Sequence, residues 1–213
     1  MSEELGKIQK PSVEELRQGK KLYFVPLIYC GKEAPSEYVE KYNDYWKQVE
    51  DQISNLELKL GNVQIILHEF ITANGEEGAR AIKELNAKTY EIVHGRIDKG
   101  AQIKALENSE LVAELMDWSR CISVGLQSQK ASNSVYDSYI EISKSRNAYI
   151  AQQIKETLDT DEIGLLFMRE EHQIQFPHDI EVFYVAPPGL DEIKRWLRDS
   201  QAKQEEEAQD NKK

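Results

Sequence analysis

Cysteine is nearly absent from this chain: Cys30 and Cys121 are the only two among 213 residues, with no CxxC spacing. That excludes a disulfide framework and points to a reduced, cytoplasmic setting. Basic residues are also short, 27 Lys and Arg against 38 Asp and Glu, for a net charge of -11. Neutralising a phosphate backbone needs the opposite surplus, so nucleic acid is excluded as a partner. An acidic surface is likewise repelled by anionic membranes. Long apolar runs are missing too, and even IGLLFM at 163–168 falls far short of the ~20 residues that span a bilayer. The opening MSEELGKIQKPS lacks the apolar core of a signal peptide. No GxGxxG, GxxxxGKS/T, GxSxG or HExxH spacing occurs.

What is there is an alternation of short apolar runs with longer amphipathic stretches. Ser12 to Glu15 fits a capping box, which predicts a short helix over 12–19. LYFVPLIY (22–29) reads as a strand, at a sheet edge or irregular, because Pro26 has no N–H for a ladder. Tyr38, Tyr42, Tyr45 or Trp46, Val49, Ile53, Leu56 and Leu60 recur at helical spacing and predict a long helix closed by Gly61. VQIIL (63–67) is the next strand, and a single helix follows through Ala79, Ile82, Leu85, Thr89 and Ile92 or Val93. AQIKAL (101–106) reads as a strand, then come a helix over 109–126, a polar loop or helix junction at 127–134 and a helix over 135–158. Strands IGLLFM and IEVFYV (180–185) precede a last helix with Leu190, Ile193 and Trp196 or Leu197. These runs predict one α/β domain over 21–200, a mainly parallel sheet with crossover helices and a long-helix insertion. Residues 201–213, rich in Glu and Gln, are expected to be a disordered tail.

The strand candidates end in polar residues: Tyr29, His68-Glu69, Glu107, and Arg169 to His172. Carboxyl ends of parallel strands share one edge, where open α/β sheets bind ligands. Adjacent strand residues face opposite sides, so only one of His68 and Glu69 points into a common site. Arg146 falls within the apolar stripe of its helix, four residues from both Ile142 and Ile150. A core-facing arginine needs a carboxylate, for which Glu69 and Glu107 are the natural partners, or else it snorkels to water.

The ordered motifs in SRNAYIAQQIKETLDTDEIGLLFMREEHQI (145–174) resemble the closing signature of the TraB/Tiki group, within the ChaN-like, erythromycin-esterase-like superfamily. Arg146-Asn147 match its Arg-Asn pair, Ala151 its small residue and His172 the histidine of its second GxxH. Upstream, VQIILHE with Glu69 and GAQIKALE with Glu107 match its two glutamate-ending strands. The resemblance implies a ChaN-like α/β fold with a polar pocket, and in some members metal-dependent hydrolysis. There Glu69, Glu107, Arg146 and His172 would be catalytic, His172 and Glu69 would hold a divalent metal, and Tyr29, Asn147 and Arg169 would line the pocket. Two positions depart from the pattern. Tyr29 stands where the first GxxH has its histidine, and Arg169 where the second has its glycine. A phenol that ionises near pH 10 is a poor ligand for zinc or manganese at neutral pH.

Three readings follow. One is a divergent hydrolase with Glu69 or Glu107 as base or metal ligand, His172 as ligand or acid/base, and Arg146 as electrostatic clamp. A second is a non-catalytic pocket that takes a small molecule, a peptide or an anionic group through Arg146 and Arg169. The third is an interaction module, in which the helices at 36–60 and 135–158 pair with a partner or with a second copy as a homo-oligomer.

Overall fold

The apolar runs become five parallel strands in the computed structural model, which describes residues 18–210. They are β1 (Lys20–Pro26), β2 (Ile65–His68), β3 (Gln102–Ile103), β4 (Ile163–Met168) and β5 (Ile180–Tyr184), in the sheet order β3-β2-β4-β1-β5. Every pairing is parallel. The helices are α1 (Ser36–Leu60), α2 (Gly75–Leu85), α3 (Ala87–Ile97), α4 (Ser109–Ser123), α5 (Gln129–Thr157) and α6 (Pro188–Asp210). None of the described helices is long and apolar enough to cross a membrane. The helix expected over 12–19 lies outside the described residues.

Strand alternation divides the core into two layers. Tyr23 and Val25 of β1, Ile66 of β2 and Leu165 and Phe167 of β4 face the layer covered by α1, α3 and α6. Leu22, Phe24, Ile65, Leu67, Leu166 and Met168 face the other layer, where Ile150 and Ile154 of α5 pack. The aromatic stripe of α1 is buried within its own chain: Tyr45, Val49 and Ile53 are fully enclosed, and Trp196 of α6 packs 5.1 Å from Tyr38. Intramolecular packing therefore accounts for the stripe. Arg96, 3% exposed, ties α3 to α1 through Glu50 and Glu57 at 2.7 and 3.0 Å.

Several expectations are corrected. β1 is no edge strand, because it pairs with both β4 and β5. Lys21 and Leu27 donate toward β4, so Pro26 faces β5, where the pairing has already ended at Phe24 and Tyr184. Its missing N–H leaves no gap, and its carbonyl accepts from the Tyr45 hydroxyl at 2.5 Å. The single helix expected through residue 93 breaks at Asn86. That side chain accepts from the amides of Lys88 and Thr89 and donates to the Ile28 carbonyl at 3.0 Å, so it caps α3 and anchors the break. β3 is only two residues long, since Asn74 captures the amide of Ala105 at 2.8 Å and turns the chain away. Of the two readings of 127–134, loop or helix junction, the structure shows the junction. Ser128 caps α5, which starts at Gln129. α6 runs on to Asp210, through a segment whose Ala, Gln, Glu and Lys are strong helix formers. The two cysteines are free and partly buried.

Two features of this layout bear on function. First, β4 returns to the start of β5 across 169–179 without a helix. That crossover packs Ile174 and Phe176 into the α5-side core, beside Phe24 of β1. Second, α4 and α5 form a hairpin that stands away from the sheet, with no buried residue between Leu115 and Ile142. Polarity in this part of the sequence records exposure, not loss of helix.

Candidate functional site

Glu69 follows β2 on the side of Ile65 and Leu67, and so faces α5. His68 turns to the opposite layer. Glu107 is brought alongside because the amides of Leu106 and Glu107 both donate to the Ile71 carbonyl, at 3.0 and 3.1 Å. Arg146 projects from α5 onto the two glutamates, and Arg169 leaves the end of β4 toward Glu69. Residues 69, 107, 146 and 169 are far apart in sequence, yet they make one network at the carboxyl edge of the sheet.

Arg146 donates from Nε to Glu107 Oε2 at 2.7 Å and from Nη2 to Glu69 Oε1 at 3.1 Å, with a further close bond from Nη2 to Glu107 Oε1. Arg169 donates to Glu69 from its backbone amide at 3.0 Å and from Nη2 at 2.9 Å, and its Nε bridges both carboxylate oxygens. All four carboxylate oxygens thus accept from arginine, and Arg146 snorkels nowhere: it is only 8% exposed. Burial alone would push the Glu69 carboxyl up, but the hydrogen bonds and charge of Arg169, with the charge of Arg146, hold it below its ordinary value. Arg169 is the outer member, with its side chain 48% exposed.

Phe70 is the residue the sequence did not single out. It has φ 66°, the left-handed region that an aromatic side chain rarely adopts. Its amide donates to Glu107 Oε1 at 2.9 Å. Its ring lies 4.9 Å from the guanidinium carbon of Arg146 and 5.3 Å from that of Arg169. One residue therefore contacts three members of the network, and nothing in the local pattern HEFI announces it. Phe70→Gly should be close to neutral, because relief of about 1 kcal/mol of backbone strain offsets the lost cation–π contacts. Phe70→Ala keeps the strain and loses the ring, so urea unfolding should place it about 1 kcal/mol below Phe70→Gly.

Beside the network lies a cleft of about 270 Å³, lined by Glu69, Arg146, Asn147, Arg169, Glu171 and His172, with Leu115, Ile140, Met168 and Ile174 as apolar wall. His172 is held edge-on by Phe24 at 5.0 Å and Phe176 at 5.3 Å. Its Nδ1 accepts from the Ile174 amide at 3.2 Å, which assigns the ring hydrogen to Nε2. Burial lowers its pKa, with Glu69 and Glu171 opposing, so the ring is neutral at pH 7. Of the residues expected at the site, Glu69, Arg146, Asn147, Arg169 and His172 line the cleft, whereas Glu107 is enclosed behind Arg146. Tyr29 does not line it and is 38% exposed, beyond the end of β1. Partial burial and the charge of Glu69 push its phenol up to about 12, so it carries its proton at neutral pH.

The residues do not fit the divalent metal that the resemblance implies. Among the described residues no group of three or more His, Cys, Asp or Glu is arranged to hold an ion. His172 and Glu69, the expected ligands, share the cleft, but both Glu69 oxygens are taken by guanidinium groups that repel a dication. Comparison with protein-family models, with curated proteins and with solved structures returns no match to this chain.

Proposed function

We propose that this chain is a cytoplasmic small-molecule-binding protein with a TraB/Tiki-like pocket that binds without hydrolysing. The observation that carries the reading is the closed network: all four oxygens of Glu69 and Glu107 are committed to Arg146 and Arg169. A general base or a metal ligand needs a carboxylate oxygen without such partners, and here each of the four oxygens accepts at least one charge-assisted hydrogen bond. The order of the motifs supports the TraB/Tiki-like assignment. The neutral, half-buried His172 and the apolar wall support binding.

Two measurements test this. Ester and peptide turnover with Mn²⁺, Zn²⁺ or Co²⁺ should match that of an Arg146→Met variant, and none of these ions should raise the melting temperature. A fragment set of small acids, amines and amides should contain members that do raise it, with the shift lost in Ile140→Glu. Metal-dependent turnover or stabilisation that disappears in His172→Ala would overturn the proposal.

A further inference from the structure

The polar end of the cleft carries three donors without a protein acceptor among the described residues, beside Glu171 and Asn147. Nη1 of Arg146 and Nη1 of Arg169 take no part in the bonds to Glu69 and Glu107, and both arginines line the cleft. His172, with Nδ1 committed to the Ile174 amide, has a hydrogen on Nε2. The glutamates cannot answer these donors, because their oxygens are already shared between the two arginines. These donors are open to the cleft, so a ligand that supplies acceptors can meet them with charge-assisted hydrogen bonds.

We infer that the ligand is a small organic monocarboxylate with an apolar body, an inference that rests on reading the cleft as a ligand pocket. The carboxylate is received by Arg169 and His172, and the body lies against Leu115, Ile140 and Ile174. Charge and shape select this class. Arg146 and Arg169 offset Glu69 and Glu107, and Glu171 adds one exposed negative charge at the cleft. A dianion such as phosphate meets that excess with double the charge, whereas a carboxylate is a planar, two-oxygen partner for a guanidinium edge. An amine brings a positive charge to the guanidinium groups of Arg146 and Arg169, with the exposed Glu171 to receive it. A neutral amide supplies one oxygen, with its own N–H₂ facing the remaining donors. The apolar wall gives binding free energy only to a body beyond the carboxylate, so acetate is too small to use it.

Calorimetric titration of the full chain with monocarboxylates from butanoate to benzoate, each beside its amide, tests the inference, with isopentylamine and inorganic phosphate alongside. At least one acid should bind, its amide at least about tenfold more weakly, and the amine and phosphate without measurable heat. Arg169→Gln should weaken the acid by about tenfold or more. Ile140→Glu, outside the ion-pair network, should abolish binding and keeps the test valid if Arg169→Gln fails to fold. Equal affinity for acid and amide, preference for the amine or phosphate, or unchanged binding in Arg169→Gln overturns the carboxylate assignment. In those cases loss of binding in Ile140→Glu would still uphold the pocket. If neither these probes nor any member of the fragment set binds, both inferences fall.

Discussion

Glu107→Leu is expected to lower the free energy of unfolding by about 3–5 kcal/mol, the largest single effect at the site. The glutamate side chain is wholly enclosed, and its oxygens accept from Arg146 Nε at 2.7 Å and from the Phe70 amide at 2.9 Å. Leucine restores most of the volume, so a cavity is not the cause. What remains is Arg146, its side chain 10% exposed, with only Glu69 at 3.1 Å, and an unpaired amide on a residue already in a left-handed conformation. Urea unfolding with an unchanged m-value measures the loss. Adding Arg146→Met should recover most of it, because a buried ion pair replaced as a whole by apolar groups is often neutral or better. Arg169→Ala should cost only about 1 kcal/mol, since its head is half exposed and Glu69 keeps Arg146. If Glu107→Leu proved as mild as Arg169→Ala, the network would be open to water and the argument against a free carboxylate would fail.

The parallel sheet was legible in the sequence because its strands are short apolar runs between stretches of helical period. β4 matches the expected 163–168 because both its faces are buried. Arg146 was legible for a related reason: a charge inside an apolar stripe demands a partner, and the structure supplies Glu107 and Glu69. Three features were not legible. Asn86 breaks a continuous helical period through its side-chain bonds, whose partners Tyr42 and Ile28 come from elsewhere in the chain. Residues 127–134 read only as a loop or helix junction because apolar periodicity marks burial, and this start of α5 has none to mark. Phe70 and the commitment of both glutamates depend on side-chain geometry and an unusual φ, which residue spacing does not encode. The 145–174 stretch brings Arg146, Arg169 and His172 to one cleft, and the bonds of Arg169 to Glu69 there depend on side-chain geometry that spacing does not encode.

Acidification should destabilise the protein well before its carboxylates titrate, and the cause is His68. Its side chain is fully buried, Nδ1 lies 2.7 Å from the Glu69 carbonyl, which can only accept, and Nε2 lies 3.3 Å from the Thr89 hydroxyl. Burial pushes its pKa down to about 4, with the Glu69 carbonyl and charge only partly opposing. The unfolded chain takes up this proton near pH 6.5, and the folded one only near 4. Between those values the unfolded state binds more protons, so stability falls as the pH falls. From pH 7 to pH 5 the loss from His68 should be about 2 kcal/mol. Glu69 acts in the same direction, but its pKa is held below the ordinary carboxylate value, so its contribution is lost only at more acidic pH. His172 is lowered too, yet it is only partly buried and contributes less. Urea unfolding at pH 7 and 5 should therefore show a smaller fall in His68→Gln than in the wild type, while His172→Gln keeps most of it. Equal falls in all three proteins would place the acid sensitivity elsewhere. The expected pattern would separate the two histidines by role: His68, facing α3, sets acid stability, and His172, in the cleft, is free to serve a ligand.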